Sequence, residues 1–428
     1  MRICAINPLY ILRNGEDVIL LNPKTRQWYL TTPEGEKIYQ TACAHGIANA
    51  VAVSNNTEED IRDYLDDLLQ TLNTPLPAST PRRGSSIYIT NACNMRCVHC
   101  RFACEKSSFK LSRETIQRYI NIEHARGSRL LTITGGEPLL EWNTVQWSLE
   151  YATSLGMTTN LLTNGSLITE EIAYTLARLQ TSVQISVDST RSDRFLRFRK
   201  YRLEPVVRGI DLLVTKQIPL SLSCSLTRMA IEEIDEVIAF VQIHGIKELH
   251  FPMLERGGRA TKSWDKLALG DDELISFFAQ LLDRYFKEGL RERVRLVDIE
   301  MMLEQTLHPP ATNHCNLLNG VSALYEDGRV YGCTNLCGDE RFCIGEPSDG
   351  IEMQTMEQKL RSTLPDTEQI DPCRTCDVQF VCLGGCRDRV MLANQGDMKK
   401  EDPYCHVFQY LFRRLLFEQA RIQEQLNT

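Results

Sequence analysis

The fold and the chemistry of this chain are decided by the segment 87-IYITNACNMRCVHC-100. Its apolar start, residues 87–90, has the character of a β-strand, and three cysteines follow with the spacing Cys93-x3-Cys97-x2-Cys100. Three thiolates can hold three irons of a 4Fe-4S cluster, whereas an electron carrier normally closes its cluster with four. The fourth iron would then be free to bind a substrate or a cofactor. A zinc site completed by one further His or Cys is the alternative, although zinc motifs normally come as pairs of close ligands.

A second motif, 135-GGEP-138, follows the apolar run 130-LLTIT-134. One helix-like stretch, residues 112–127, separates this run from the first strand, as a βα unit requires. Glycine has no Cβ, so the backbone of such a turn can approach a ligand closely. Two glycines after a strand also occur in ordinary turns, and it is the distance from the cysteines that favours a shared site.

His99 stands directly before Cys100, at the position where radical S-adenosylmethionine (SAM) enzymes carry an aromatic residue in their C-x3-C-x-aromatic-C signature. With the GGEP turn, the chain resembles this superfamily. The resemblance implies that SAM is the cofactor and that the GGEP turn binds the amino group of its methionine. It also implies an α/β fold, the partial (β/α)6 barrel, whose ligands gather at the C-terminal ends of the strands.

Apolar strand-like runs alternate with helical ones from Gly84 to Asp298, which is the pattern of a parallel α/β sheet. Further strands are predicted at 158–162, 182–187, 220–226 and 248–252, and helices at 169–179, 204–216 and 231–244. A turn or a helix cap is the alternative role for each polar residue at a strand end. By resemblance, the residues expected to contact SAM are Gly135, Gly136, Glu137, Pro138, Asn164, Ser186, Asp188 and Leu254.

A second group of cysteines lies between His314 and Cys405. Its spacing, C-x12-G-x4-C and then C-x2-C-x5-C-x3-C with a last cysteine eighteen residues on, resembles the SPASM domain, as does the Gly-Arg-Ala segment 258–260. The resemblance implies two auxiliary 4Fe-4S clusters, and zinc ribbons are the alternative. One cluster would be held by Cys373, Cys376, Cys382 and Cys405, and the other by Cys315, Cys333 and Cys386.

The second of these clusters has no evident fourth ligand, because residues 316–319 contain no cysteine. Cys337 and Cys343 are the available substitutes. Cys337 is slightly favoured, since a tight turn could return its sulfur to the site of Cys333. If neither reaches, one iron is open to a substrate thiolate. Residues 326–329 are predicted to form the hairpin turn that brings Cys315 and Cys333 together.

The first 80 residues are predicted to form a small separate domain. Residues 18–21 and 28–30 have the character of two strands, and Thr57 is a plausible N-cap of an amphipathic helix. With a helix start near Gly35, this order resembles the winged-helix recognition element of enzymes that modify ribosomal peptides, which binds a leader peptide at an exposed strand edge. Residues 74–81, rich in proline, are predicted to be a linker.

The composition excludes several classes. The chain has 428 residues, 43% of them hydrophobic, and a formal net charge of −8. The absence of a long basic tract argues against nucleic acid, and no apolar run approaches the roughly 18 residues of a membrane span. No signal peptide opens the sequence, so we expect a cytoplasmic protein whose sixteen cysteines serve metal rather than disulfides. The locally basic segment 191–202 is predicted to be a solvated face, or a contact for an acidic peptide or phosphate.

The resemblance as a whole implies a radical SAM/SPASM maturase with domains at 1–80, 84–300 and 308–428, three 4Fe-4S clusters and SAM. Such an enzyme cleaves SAM reductively and uses the 5′-deoxyadenosyl radical to oxidise or crosslink a peptide through a thioether or carbon–carbon bond. Its partners would be a precursor peptide bound through its leader and an electron donor such as flavodoxin or ferredoxin.

Four other functions are the alternatives: a sulfatase-maturase-like enzyme, a quinone-cofactor-maturase-like enzyme, a non-catalytic Fe-S electron-transfer protein, and a leader-binding adaptor without chemistry, which the sequence after Gly84 opposes. Anaerobic sulfatase maturases carry a catalytic Asp directly after the cysteine that matches Cys333, and Thr334 at that position argues against the first. The sequence identifies no catalytic base. It also leaves open whether Cys104 is an ordinary thiol.

Overall fold

The computed structural model describes residues 9–76, 83–104, 106, 110–309, 320–348 and 350–427. Most of the predicted linker and both His314 and Cys315 lie outside the described residues. None of the described helices combines the length and the apolar character needed to cross a lipid bilayer.

Residues 9–76 form a three-stranded antiparallel sheet followed by three helices. The sheet order is β1-β2-β3, and Thr57 caps the last helix, as predicted, by accepting a hydrogen bond from the Asp60 amide. The first strand was missed in the sequence, although the Asn14-Gly15 pair that ends it is a typical hairpin turn. The elements are β1 (Tyr10–Asn14), β2 (Asp17–Leu21), β3 (Trp28–Thr31), α1 (Pro33–His45), α2 (Ile47–Ala52) and α3 (Glu58–Asn73).

The middle of the chain forms the predicted parallel sheet, with helices between successive strands. Its strands are β4 (Gly84–Tyr88), β5 (Leu130–Thr134), β6 (Thr158–Thr163), β7 (Ser182–Ser186), β8 (Leu220–Ser223), β9 (Glu248–His250) and the short β10 (Arg295–Leu296). All neighbours in this order pair in parallel. The α/β prediction is thus confirmed, and the strand ends at β8 and β9 fall earlier than predicted.

The connecting helices are α4 (Arg113–Ala125), α5 (Trp142–Ser154), α6 (Glu170–Arg178), α7 (Ser192–Arg199), α8 (Glu204–Thr215), α9 (Arg228–Ile231), α10 (Ile234–Ile243), α11 (Gly258–Leu267), α12 (Asp271–Lys287) and α13 (Val297–Leu307). Their buried apolar residues and those of the strands form one continuous core. The helix after β5 begins with a 3-10 turn at Pro138–Glu141, directly behind the GGEP glycines.

The sheet does not stop at the predicted domain boundary. Strand β11 (Val321–Leu324) pairs in parallel with β4, and β12 (Val330–Tyr331) and β13 (Cys343–Gly345) extend it antiparallel, giving ten strands. Residues 325–329 form the turn between β11 and β12, where a hairpin was predicted. The remaining helices are α14 (Gly350–Thr363), α15 (Gln379–Cys382), α16 (Arg387–Ala393) and α17 (Cys405–Asn427).

The N-terminal sheet is covered on both faces. One face packs on its own helices through Val18 and Leu20, while the other packs through Leu21 and Trp28 on the C-terminal part of the chain. The surface that receives it is apolar and comprises Val378, Phe380, Val381, Phe412, Leu416, Phe417 and Ala420. The Trp28 indole Nε1 donates a hydrogen bond of 3.3 Å to the carbonyl of Thr306.

Replacing this tryptophan tests the packing between the two ends of the chain. Trp28→Ala should lower the free energy of unfolding by about 3 kcal/mol, because a large buried side chain and its cavity are lost. Hydrogen–deuterium exchange in β1–β3 should rise, whereas Trp28→Phe, which keeps most of the apolar surface, should leave it nearer the parent. Unchanged exchange in Trp28→Ala would contradict this packing.

Candidate functional site

A cavity of about 410 Å³ opens at the C-terminal ends of β4 to β9. The loops that follow these strands form its wall, as expected for a site at one edge of a parallel sheet. All three cysteines of the first motif and five of the eight residues predicted to contact SAM lie on this wall. They are Cys93, Cys97, Cys100, Gly135, Gly136, Asn164, Ser186 and Leu254.

The GGEP turn packs directly on the cysteine loop. The Gly136 amide donates to the carbonyl of Thr90 at 2.7 Å, and the Glu137 amide donates to that of Ala92 at 2.9 Å. A Cβ built on Gly136 would lie 2.4 Å from the Ala92 oxygen, and one on Gly135 would lie 2.7 Å from the Thr90 oxygen. Contact between the two loops therefore requires both glycines, in addition to any approach of a ligand.

Glu137 lies behind the wall and is fully buried. Its carboxylate accepts hydrogen bonds from Thr163 Oγ1 and the Asn164 amide, each at 2.7 Å, and from the Leu139 amide at 3.0 Å. Burial raises the pKa of this carboxyl, and these bonds oppose the rise. Glu137 thus joins the GGEP turn to the end of β6, which is the role of a positioning residue rather than of a cofactor contact. Pro138 is likewise buried behind the glycines.

Asp188 is also buried behind the wall. It accepts hydrogen bonds from Arg199 Nε at 2.6 Å and from the Ser225 amide at 2.9 Å, so it ties the end of β7 to α7 and to the end of β8. Arg199 lies on the cavity wall and is nearly buried. The prediction of a solvated face for the segment 191–202 is wrong for this arginine, whose partner is eleven residues away.

His99 occupies the aromatic position of the signature as a buried ring. It stacks on Phe198 with ring centroids 4.2 Å apart, and its Nε2 lies 3.6 Å from an Asp188 oxygen. Burial lowers the pKa of the His99 imidazole to about 4, so the ring is neutral near pH 7. The backbone of the cysteine loop is held at the same place, where the Val98 amide donates to the Phe198 carbonyl at 2.9 Å.

The Gly-Arg-Ala segment after β9, residues 258–260, packs against the cysteine loop and forms hydrogen bonds with it. Arg259 donates through its amide to the carbonyl of Cys100 at 2.9 Å and through Nε to that of Cys97 at 2.8 Å. Gly258 has a φ of +49°, and a Cβ there would lie 2.3 Å from the Arg101 carbonyl oxygen. These contacts fix the path of the loop that presents the three thiols.

Arg101, the residue after Cys100, was not singled out in the sequence. Its guanidinium donates to Glu255 at 2.5 Å, to Asp388 at 2.6 Å and to the carbonyl of Asn335 at 2.7 Å. Asn335 and Asp388 each lie two residues beyond a predicted cysteine ligand, in loops far away in sequence. Arg101 therefore joins the first cysteine loop to the C-terminal cysteine region, and single-sequence patterns carry no signal for such a contact.

Cys104 is a buried thiol on the cavity wall. Its Sγ lies 3.2 Å from the Tyr88 hydroxyl, and its hydrogen bond to Cys100 lowers the pKa of the Cys100 thiol. The structure thus places a fourth thiol beside the predicted three-cysteine site.

Cys373, Cys376, Cys382 and Cys405, the set that the SPASM resemblance implies for one auxiliary cluster, lie close enough for Cys382 to interact with the other three. Burial raises the pKa of Cys373 to about 11, with the nearby Cys405 adding to the rise. Burial also raises the pKa of Cys382, which feels all three of the other thiols. No disulfide joins these cysteines. A group of thiols with raised pKa values is consistent with a metal site, because a bound metal ion stabilises the thiolate form.

The other predicted auxiliary site is only partly described, since Cys315 lies outside the described residues. Cys337 Sγ lies 3.7 Å from the carbonyl oxygen of Cys333. Burial raises the pKa of Cys337, and Cys333 contributes to the rise. Cys343 lies in β13 between buried Phe342 and Ile344. This arrangement favours Cys337, and the fourth ligand stays a prediction.

Cys386 has oxygen donors beside it. Its Sγ and carboxylate oxygens of Glu255 and Asp388 lie within 4.8 Å of one another. Both carboxylates also pair with Arg101, so one buried cation already balances part of their charge. Glu255 is the one carboxylate among the described residues of the cavity wall.

The fold is a parallel α/β sheet with connecting helices, and its candidate site is the cavity at the C-terminal ends of β4 to β9. Residues 87–241 match the family model of the Radical SAM superfamily, so this part of the chain is a radical SAM domain. The first motif, the GGEP turn and the strand-end cavity all lie within or beside this domain. Three thiols on one loop, with a cavity in front of them, fit a cluster that SAM completes.

Curated relatives carry more than one activity. The chain is 27% identical to the AdoMet-dependent heme synthase of Methanosarcina barkeri, over 74% of this chain and 94% of the relative. It is 27% identical to the mycofactocin maturase MftC of Mycolicibacterium smegmatis, over 70% of this chain and 76% of that relative.

Two solved structures have a similar fold. anSMEcpe with bound AdoMet and the Cp18Cys peptide has a TM-score of 0.66 at 20% identity, covering 80% of this chain and all of that one. SuiB of Streptococcus suis bound to its precursor peptide SuiA has a TM-score of 0.60 at 14% identity, covering 92% of this chain and 97% of that one.

The close approach of the two loops predicts the effect of adding one methyl group. Gly136→Ala should weaken SAM binding at least about tenfold, because the new Cβ pushes the GGEP turn away from the cysteine loop. Gly84→Ala is the matched control, since a Cβ there meets nothing within 4 Å. Equilibrium binding of SAM to the reconstituted enzyme measures both variants. Parent-like binding in Gly136→Ala would show that the turn does not set the site.

The undecided ligand gives a second prediction. The reconstituted parent should hold about twelve irons, four for each cluster. Cys337→Ala should shift the redox signal of one auxiliary cluster and spare SAM cleavage, whereas Cys343→Ala should act as a packing change of about 1 kcal/mol. Iron analysis and electron paramagnetic resonance distinguish them. The reverse pattern would assign Cys343, and unchanged spectra in both would favour an open iron.

Proposed function

We propose that this radical SAM enzyme oxidises or crosslinks a ribosomally made peptide, which it recognises through a leader segment. The observation that carries the proposal is the presence, in one chain, of the strand-end cavity and of an N-terminal sheet whose edge strand β3 has no second strand partner among the described residues. A strand edge is a general means of binding an extended peptide. The mycofactocin maturase among the relatives and the precursor peptide in the SuiB structure support a peptide substrate.

The likeness to SuiB supports the recognition role as well. The SuiB structure covers 92% of this chain. The part that it does not cover is shorter than residues 9–76, so the similarity includes at least some of the N-terminal domain. The likeness to anSMEcpe covers a smaller share of the chain. We propose on this basis that the N-terminal part is a leader-binding domain of the winged-helix type.

The residues of the cavity have separable tasks in this proposal. Cys93, Cys97 and Cys100 would hold the cluster, and with SAM bound this site supplies the 5′-deoxyadenosyl radical that takes a hydrogen atom from the substrate. The backbone of Gly135 and Gly136, together with the side chains of Asn164 and Ser186 and the apolar Leu254, would hold SAM. Glu137 and Asp188 keep these loops in place from behind. The substrate would enter on the side of Glu255 and Asn335, the part of the wall nearest the C-terminal cysteines.

We further propose that the C-terminal cysteines hold two auxiliary clusters. Such clusters can accept the electron that a substrate radical loses when its oxidation is completed, because their potentials vary over a wide range with their surroundings. Arg101 connects the first cysteine loop to the loops of Cys333 and Cys386. A small redox protein such as flavodoxin or ferredoxin would supply the electron that starts each turnover.

A tetrapyrrole substrate is the second candidate, because the heme synthase of Methanosarcina barkeri is as similar to this chain, at 27% identity, as the mycofactocin maturase. The N-terminal sheet and its open edge favour the peptide. A sulfatase-maturase-like activity remains disfavoured by Thr334. Identifying the reaction product distinguishes our proposal from the quinone-cofactor-maturase-like and electron-transfer alternatives.

The test is anaerobic and uses the reconstituted full chain with SAM, a reductant and peptides encoded by short reading frames beside its gene. We expect 5′-deoxyadenosine and a peptide that has lost hydrogens in pairs, measured by chromatography and mass spectrometry. Replacing Cys93, Cys97 and Cys100 together with Ala should abolish both products, since the electron path to SAM is lost. Cys43→Ala, in α1 and outside the cavity wall, is the matched control.

Two outcomes would contradict the proposal. Conversion of a heme precursor without any change in peptide mass would assign the tetrapyrrole function. Failure of the iron-loaded parent to cleave SAM would favour a non-catalytic role.

A further inference from the structure

Arg387 lies beside the predicted ligands of both auxiliary sites. It follows Cys386 directly and begins α16, and residues 382–386 before it join the last two cysteines of the C-x2-C-x5-C-x3-C motif. The residue is only 3% exposed, which makes it the most deeply buried arginine among the described residues. Its guanidinium is therefore inside the C-terminal cysteine region and not on its surface.

Only one end of this guanidinium has hydrogen-bond partners. Its Nη1 donates to the carbonyls of Met398 at 2.7 Å and Lys400 at 3.0 Å, in the segment that leads to Cys405. Its Nε and Nη2 are buried and have no hydrogen-bond partner among the described residues. A Cβ built on Gly384 would lie 3.4 Å from Nη2, so this end of the guanidinium faces the backbone between Cys382 and Cys386.

The charge of Arg387 also has no carboxylate partner within the described part of the chain. Arg199, the next most buried arginine at 5% exposed, pairs with Asp188. The carboxylate of Asp402, which lies in the loop beside Arg387, pairs with Arg389 at 2.9 Å. Because an unpaired cation is costly to remove from water, the surroundings of Arg387 suit an anion that is not a side-chain carboxylate.

A thiolate-bound cluster is an anion of this kind. Burial raises the pKa of the Cys373 thiol, whereas the positive charge of Arg387 opposes the rise, so the guanidinium acts on this predicted ligand. Asp377, the carboxylate next to Cys376, is already paired with Arg413 at 2.9 Å. A 4Fe-4S cluster held by four thiolates is negatively charged and gains a further negative charge when it is reduced. The unpartnered N–H groups and the charge of Arg387 therefore fit such a cluster.

We propose that Arg387 is the buried counter-cation of the auxiliary cluster held by Cys373, Cys376, Cys382 and Cys405, and that it raises the reduction potential of this cluster. The proposal rests on the auxiliary clusters of the proposed function and names a residue that adjusts one of them. A nearby cation and donated N–H groups both favour the more negative, reduced state of a cluster. The raised potential makes this cluster a better acceptor for the one electron that a substrate radical loses. Arg387 acts through the cluster and does not touch the reacting atoms.

The test measures potentials in the reconstituted full-length enzyme, without SAM or peptide, by redox titration followed with electron paramagnetic resonance. In Arg387→Gln, reduction of one auxiliary cluster should become at least about tenfold less favourable, a fall of about 59 mV for a one-electron couple. Arg387→Lys keeps the positive charge, and its potential should stay closer to that of the parent. The altered signal of Cys376→Ser, in which an oxygen replaces one ligand, identifies the cluster concerned.

Arg374→Gln is the matched control. Arg374 stands between Cys373 and Cys376 in the sequence, but its side chain is 66% exposed and pairs with Asp371 at 3.0 Å. Removing it deletes the same charge from a place where water and salt screen it, so the potential should remain close to that of the parent. Equal falls in Arg374→Gln and Arg387→Gln would overturn the special role of the buried cation.

Iron analysis keeps the test decisive if a variant does not load fully. Loss of about four irons from Arg387→Gln alone would support the need for a cation at this position. The same loss from both Arg387→Gln and Arg387→Lys would overturn the proposal, because it would make the role of the side chain structural. An unchanged potential in Arg387→Gln, or equal falls in the Gln and Lys variants, would overturn it as well.

The outcome is separable from that of the proposed function. A parent with only about four irons would remove the auxiliary clusters, and the role of Arg387 with them. About twelve irons, a modified peptide and an unchanged potential in Arg387→Gln would overturn the role of Arg387 and leave the peptide chemistry standing. A lowered potential in a protein that modifies no peptide would support Arg387 and count against the proposed function.

Discussion

The buried guanidinium of Arg101 is the interaction on which the arrangement of the site depends. The described wall of the cavity is formed by the strand ends and loops of the parallel sheet and by Asn335, which lies in a loop more than two hundred residues beyond the first cysteine motif. Arg101 bonds to both, through Glu255 after β9 and through Asp388 and the carbonyl of Asn335. Removing one partner of such a buried group leaves uncompensated charge, which costs far more than losing an exposed pair. The relative position of the two cysteine regions is therefore held by charge as well as by packing.

The sheet provides the other half of this order. Because β11 continues the parallel sheet beside β4, the C-terminal cysteines start from the same edge as the first motif. The ends of β4 to β9 then form the wall of the cavity. Behind this wall, the buried carboxylates of Glu137 and Asp188 connect neighbouring strand ends through hydrogen bonds. These buried hydrogen bonds fix the positions of the wall residues without contacting a ligand themselves.

Much of this could be predicted from the sequence, for identifiable reasons. Cysteine spacing and the GGEP turn are local patterns, and the parallel sheet follows from alternating strand-like and helix-like runs, so the cavity residues Cys93, Gly136 and Asn164 were found. Ion pairs between loops could not be predicted, because neither the distant pair Arg101 with Asp388 nor the nearer pair Arg199 with Asp188 leaves a periodic signal in the sequence. The burial of Glu137 and Asp188 behind the cavity wall was not foreseen, because a strand-end position does not reveal whether a side chain points toward the cavity or away from it. Strand β1 was missed although its Asn-Gly turn was visible.

The apolar surface around Phe412 and Leu416 limits which N-terminal domains could be joined to the rest of this chain. Trp28 and Leu21 of the N-terminal sheet cover this surface. Removing the N-terminal domain would therefore expose a hydrophobic patch of the kind that causes aggregation. Exchange of this domain for one from another pathway would succeed only if the incoming sheet matched the same patch. Under the proposed function, a change of peptide specificity would therefore be engineered more readily at the rim of the existing domain than by replacing the whole domain.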